Sequence, residues 1–311
     1  MKAIRIHQYG GPEVLVYEDA PKPVMAPDDV LIKVCAAGVN PVDWKIREGL
    51  RKNVRQFQFP FVLGWDVSGI VEEVGNKASG FKKGDEVYSK PDLSRGGTYA
   101  EYVAVKASEV ALKPKTLDHV RAAGVPLAAL TAWQALFDKG ELKEGERVLI
   151  LGASGGVGSF AVQLAKWKKA EVIGVCSTKN VEFLRSLGVE EVIDYTTTRF
   201  EDVLNNVDLV LDNVGGEVTS RAWKVLKEGG KLVSITGTPD INDARALGKM
   251  GIGVGVTSNA EELKQITNLI DSNAIKPFIT SVLPLYEAKK AQDLLQNGRN
   301  LRGKIVLKIM A

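Results

Sequence analysis

Residues 147–166 read RVLILGASGGVGSFAVQLAK, and this stretch decides the fold. A short apolar run, 148–151, breaks into Gly152, Gly155, Gly156 and Gly158, and helical spacing follows through Phe160, Val162, Leu164 and Ala165. That order predicts buried strand, tight turn and helix. From Ala153 the turn spells A-x-G-x-x-G, a dinucleotide fingerprint with alanine in the first glycine place. Gly155 then lets backbone come against a pyrophosphate, Gly158 lets the helix sit close on the strand, and the first helical N–H groups take the anion's charge. Ala153, Ser154, Gly155, Gly156, Val157 and Gly158 are therefore the expected cofactor cradle. An ordinary glycine-rich turn would carry the same glycines. Gly152, Ser154 and Gly156 also spell the G-x-S-x-G of a hydrolase nucleophile elbow, which needs a histidine later in the chain. Both histidines, His7 and His119, precede Ser154, so that order is not met.

The second apolar run, 172–176, ends 18 residues past Gly158, where a dinucleotide fold places the group that meets the adenosine ribose. An acidic residue there would bind the 2′-hydroxyl and repel a 2′-phosphate. The chain has Ser177, Thr178 and Lys179 instead. Hydroxyls and an ammonium suit a dianionic phosphate, so the expected cofactor is NADPH. A polar loop with an incidental lysine is the competing reading.

Working outward, 311 residues exceed the size at which one core stops growing, so two domains are expected. A 45% hydrophobic and 25% charged composition is that of a soluble globular protein. The net charge of +3 is too mild to point to nucleic acid or an anionic membrane. Residues 148–165 are uncharged, but four glycines, two serines and a glutamine mark them as a turn in a soluble fold, so no membrane span is expected. Cys35 and Cys176 fall inside expected buried strands, which argues for reduced thiols in a cytoplasmic protein. The N-terminal MKAIRIHQYG starts as an alternating strand, with no secretory apolar run.

Upstream, short strands are expected at 2–6, 30–37, 60–63, 67–74, 85–87 and 98–105 with glycine turns between them, a β-rich, barrel-like pattern. Between them, Pro41 can open a short helix carrying Asp43 and Trp44. From about residue 119 helical segments alternate with strands at 148–151, 172–176, 191–194, 208–212, 231–235 and 253–257, the pattern of a doubly wound parallel α/β sheet. The tail, with a strand at 280–284, a helix at 286–297 and a strand at 304–308, has no alternating unit to join and is expected to return to the first domain.

Nine segments, among them AAGVNPVDWKIREG (36–49), LGWDVSGIVEEVG (63–75), GDEVY (84–88), GTYAEYVAV (97–105), VIDY (192–195), DNVGG (212–216) and GKIVL (303–307), together resemble the medium-chain dehydrogenase/reductase superfamily. Within it the chain resembles the zinc-free quinone oxidoreductases and 2-alkenal or enone reductases. The resemblance implies a Rossmann domain at 127–275 and a GroES-like substrate domain made of 1–126 and 276–311. It places Thr131 beside the nicotinamide ribose or phosphates and Tyr195 with Lys179 on the 2′-phosphate. Asn213 and Gly237 lie just past the fourth and fifth strands, at the carboxyl edge where ligands bind in open α/β sheets. Zinc-dependent relatives carry a cysteine and a histidine where this chain has Asn40 and Trp65, and 89–97 lacks cysteine, so no metal is expected.

Without a Lewis acid, acceptors that take hydride readily are expected: quinones first, with α,β-unsaturated carbonyls as the alternative. Asn40 is the candidate donor to the acceptor, or a helix N-cap. Asp43, read as lying at an exposed helix start, is the candidate orienting carboxylate. Trp44, Phe61, Trp65 and Tyr99 are the expected pocket walls. A nucleotide-binding or RNA-binding protein with little turnover is the alternative of another class. The chain shows no basic stripe interleaved with aromatics to support it. A homodimer is implied by the resemblance, with 253–257 as a possible seam.

Overall fold

The computed structural model describes residues 1–310 apart from 55, 93, 94, 241–247, 299 and 300. The chain divides into two compact units, Met1–Leu127 with Ser258–Asn273 and Pro277–Ala311, and Ala128–Thr257 with Ala274–Lys276.

The first unit is built on the strand Asp29–Val39, buried at every position but Lys33. It is covered on both faces and paired along both edges, so it shows a continuous apolar run rather than alternation. Strands Val67–Val74, Tyr102–Lys106 and Lys304–Lys308 all pair with it antiparallel. Glu86–Ser89 and Val110–Leu112 extend the sheet on one side, and Ile279–Pro284, parallel to Lys304–Lys308, closes the other. A second sheet orders Val16–Asp19, Lys2–Ile6 and Phe61–Val62. The C-terminal strand Lys304–Lys308 thus enters a sheet begun near the N-terminus.

The second unit holds six parallel strands in the order Glu191–Asp194, Glu171–Cys176, Arg147–Leu151, Val207–Asp212, Leu226–Ser234 and Met250–Gly253. Numbered along the chain this is 3-2-1-4-5-6, the doubly wound order, and its direction reverses beside Arg147–Leu151. Side chains from both sides of the reversal, including Leu149, Leu151, Ile173, Val210 and Leu232, share one core.

Three elements differ from the sequence reading. The first of the helical segments expected after residue 119 is α-helical over Pro126–Trp133 and then widens into a π-helical turn, Gln134–Lys139. The last strand ends at Gly253 rather than continuing to 257. There the side chain of Gln134 takes the backbone of Thr257 at both ends, accepting its N–H at 3.0 Å and donating to its C=O at 3.0 Å, so the chain leaves the sheet. Helix Ala260–Asp271, expected with the nucleotide domain, groups with the first unit. Tyr88 Oη donates to Leu263 O at 2.7 Å, and Thr116 N and Oγ1 donate to Asp271 Oδ1 at 3.0 and 2.9 Å. Among the described residues no helix is long and apolar enough to cross a membrane.

Candidate active site

In the second unit the fingerprint becomes a turn and a twelve-residue helix, Gly156–Trp167, with Gly155 at its N-cap. A β-carbon on Gly158 would stand 2.3 Å from Gly152 O and 2.7 Å from Ala153 Cα, so only glycine lets this first helical turn lie on the strand end. Ser154 turns inward instead, its Oγ accepting from Asn180 Nδ2 at 3.0 Å. The helix start therefore leaves backbone N–H groups without intrahelical acceptors at the carboxyl edge of the sheet, which fits a pyrophosphate. Asn213 donates Nδ2–H to Leu151 O at 2.8 Å, while its Oδ1 is buried without a partner. An orphaned acceptor at the end of the first strand also fits a ligand bearing hydroxyl donors. Nothing stands near a β-carbon built on Gly237.

The loop after Glu171–Cys176 holds Lys179, exposed, with Tyr195 exposed on the neighbouring strand end. Ser177 is buried beside Asn180 Nδ2 at 3.4 Å, so its hydroxyl faces the loop interior. Asp194, held below the usual carboxylate range first by hydroxyl bonds from Thr178 and Thr196, fastens this loop to the next strand. Thr131 is buried in its helix.

In the first unit, Asn40 and Asp43 belong to a dry polar cluster. Asn40 Nδ2 donates to Asp66 Oδ2 at 2.8 Å, and Lys304 Nζ donates to Asn40 Oδ1 and to Asp66 Oδ2 at 3.1 Å. The other Asp66 oxygen accepts Leu127 N–H at 2.6 Å. Gly64, with φ of +106° and Thr98 Oγ1 only 2.4 Å from where a β-carbon would be, makes the turn that presents Trp65 and Asp66. The Asn40 amide is thus committed at its oxygen and at one N–H, and the residue is also the N-cap of helix Pro41–Arg47, in a capping box with Asp43.

Asp43 is not at an exposed helix start. It is fully buried, beneath Tyr99 and beside the core that Ile4, Ile6, Ile46 and Ala288 share. Its Oδ2 accepts from Asn40 N at 2.7 Å and from Tyr99 Oη at 2.8 Å, while Oδ1 has no partner. Burial pushes its pKa up to about 7 against the opposing pull of those hydrogen bonds. Arg47, also fully buried, ties the same helix to Gln292 at 2.7 Å and to Gln296 at 3.1 Å.

Of the four expected pocket walls, Trp44 and Trp65 keep partial exposure. Phe61 and Tyr99 are core residues, and the Tyr99 hydroxyl is spent on Asp43. Sequence reasoning passed over Asp66, Lys304 and Lys90. Asp66 and Lys304 lie within the quoted LGWDVSG and GKIVL segments. Lys90 follows strand Glu86–Ser89 with no motif to mark it. Among the described residues no group of three or more His, Cys, Asp or Glu side chains could hold a metal ion.

Residues 26–115 match the family described as "Alcohol dehydrogenase GroES-like domain", and residues 187–307 match "Zinc-binding dehydrogenase". The chain is 40% identical over 319 residues to the 2-methylene-furan-3-one reductase of Solanum lycopersicum, covering 99% of this chain and 79% of that protein. It is 40% identical over 288 residues to the chloroplastic NADPH-dependent alkenal/one oxidoreductase of Arabidopsis thaliana, covering 90% and 72%. The solved structure of the quinone oxidoreductase from Coxiella burnetii superposes with a TM-score of 0.92 at 37% identity, over 99% of both chains. With the doubly wound sheet, the glycine turn and the GroES-like unit, these likenesses show that the chain belongs to the medium-chain dehydrogenase/reductase family, in its branch of quinone oxidoreductases and alkenal/enone reductases, and is a pyridine-nucleotide-dependent oxidoreductase.

Proposed function

We propose that the protein reduces quinones with NADPH, by hydride transfer and without a metal. When bound, the reduced nicotinamide supplies the hydride. The chain's residues hold the two partners and the charge that develops on the acceptor. Ala153, Ser154, Gly155, Gly156, Val157 and Gly158 form the pyrophosphate cradle, Lys179 and Tyr195 with Ser177 behind them take the 2′-phosphate, and Thr131, Asn213 and Gly237 flank the rest of the nucleotide.

The single observation that carries the acceptor reading is the state of Asn40. Lys304 and Asp66 fix its amide, so its remaining N–H is a preset donor for a carbonyl oxygen. Such a donor stabilises charge spreading onto the oxygen of a conjugated acceptor, and does so without reorganising. Asp43, buried beneath Asn40, anchors its backbone. The Trp44 and Trp65 indoles favour a flat ring, which supports quinones.

A second reading, reduction of the C=C bond of 2-alkenals and enones, is favoured by the printed activities of the two relatives at 40% identity. A cytoplasmic homodimer paired through the edge strand Met250–Gly253 completes the proposal. Steady-state oxidation of NADPH and of NADH with 1,4-benzoquinone tests it. Turnover well above background with NADPH is expected, and nucleotide binding without turnover would favour a binding protein.

A further inference from the structure

Lys90 is a buried cation near this cluster whose partners, among the described residues, are a neutral hydroxyl and an indole ring. It retains 3% exposure, and its Nζ lies 3.3 Å from Ser258 Oγ, a long contact to a neutral group. Among the described residues no carboxylate lies within ion-pair distance of it. The buried cations of the same unit are served differently: Lys304 has Asp66 and Asn40, Lys113 has two backbone carbonyls and Glu86, and Arg47 has Glu48 and Gln292. A buried ammonium with no anion is expensive, by several kcal/mol even after relaxation.

A second donor stands beside it. The ammonium lies 5.0 Å from the centroid of the Trp65 ring, and Trp65 Nε1–H is buried with no acceptor. A buried indole N–H without an acceptor, beside an ammonium whose hydrogen-bond partner among the described residues is a neutral hydroxyl, describes a site for an oxygen that carries or acquires negative charge. The site lies near the proposed donor, since Asp66, which holds Asn40, also acts on the Lys90 charge. The charged groups that act on Lys90 are Asp66, Asp92 and Glu109. They favour its protonated form, while burial, the larger effect, lowers its pKa below the usual lysine value. A lysine whose pKa is lowered gives up its proton more readily than an exposed one while it can still hold a charge.

We infer that Lys90 binds the acceptor's carbonyl oxygen and gives it a proton as it becomes anionic. This rests on the reading of the protein as a reductase of conjugated carbonyls. The acceptor takes a hydride from NADPH, which leaves as NADP⁺, and the electron pair passes through the conjugated system to the carbonyl oxygen. An N–H bond of Lys90 breaks as the O–H bond forms, and the neutral amine then regains its proton from water. Trp65 supplies a second hydrogen bond to the same oxygen, and Ser258 sets the ammonium's position.

The test uses the full chain with Lys90→Met, which keeps the apolar stem, and Lys90→Arg, which keeps the charge but cannot release a proton. Three quantities are measured: kcat/KM for 1,4-benzoquinone against pH, NADPH affinity by tryptophan quenching, and binding of 4-nitrophenolate, which resembles the anionic product, in the absence of cofactor. Lys90→Met is expected to lower kcat/KM on the order of 10²-fold, lose 4-nitrophenolate binding, leave NADPH affinity unchanged and raise the Tm. Lys90→Arg is expected to bind 4-nitrophenolate while turnover stays low. The wild-type rate should fall as pH rises through the Lys90 pKa, and Lys90→Met should lose that limb. A Lys90→Met protein that keeps kcat/KM and 4-nitrophenolate binding would overturn the inference, as would one that loses only NADPH affinity or only stability. If the wild type turns over no quinone or alkenal yet binds 4-nitrophenolate through Lys90, the reductase reading fails and the anion site stands.

Discussion

Lys304 and Asp66 form an ion pair at 3.1 Å in which both side chains are almost free of solvent, one from the last strand of the chain and one from the turn after Gly64. Breaking such a pair from one side leaves an uncompensated buried charge, at a cost of about 3–5 kcal/mol. Lys304→Met should therefore lower stability by roughly that amount, measured by denaturant midpoint at constant m. Adding Asp66→Asn should recover much of the loss, because the orphaned charge is gone. A double variant no more stable than the single would show that the pair acts through packing alone.

Asp43 gives stability a pH dependence of known sign. Its folded pKa of about 7 lies above its ordinary 3.8, so the folded state binds the proton more tightly. The contribution is fully present below 3.8 and is lost as pH rises to about 7. Asp43→Asn should flatten the stability profile across that window. An unchanged slope in the variant would assign it to other groups.

Lys179 should set the cofactor preference. Lys179→Ala removes a charge-assisted bond of about 1.5–3 kcal/mol to a 2′-phosphate, so KM for NADPH should rise roughly 10- to 150-fold while KM for NADH hardly moves. Equal use of both nucleotides by the wild type would contradict the assignment.

Activity should survive a strong chelator, and elemental analysis should find no zinc, because Asn40 and Trp65 stand where zinc-dependent relatives have ligands. About one zinc per chain would reopen alcohol dehydrogenation.

The nucleotide fold was legible because its strands are short apolar runs and its turn needs glycines for steric reasons that Gly158 displays. Boundaries failed where a tertiary bond intervened: Gln134 draws Thr257 out of the sheet, and Tyr88 claims the helix after it. In the candidate site, the position of Asn40 and Asp43 beside Pro41 was visible in the sequence, but their environment was not. Periodicity says nothing of Tyr99 reaching Asp43, or of Lys304, 264 residues away, reaching Asn40. Tyr99 shows the converse, an aromatic read as a pocket wall that the fold uses as a core support for Asp43.

The central claim, NADPH-dependent reduction of a planar conjugated acceptor, is tested most directly by kcat/KM at saturating NADPH. The panel is 1,4-benzoquinone, naphthoquinones, and short alkenals and enones. The account predicts that at least one quinone matches or exceeds every alkenal and enone. If alkenals and enones beat every quinone by about tenfold or more, about 1.4 kcal/mol of transition-state preference, the quinone assignment is wrong.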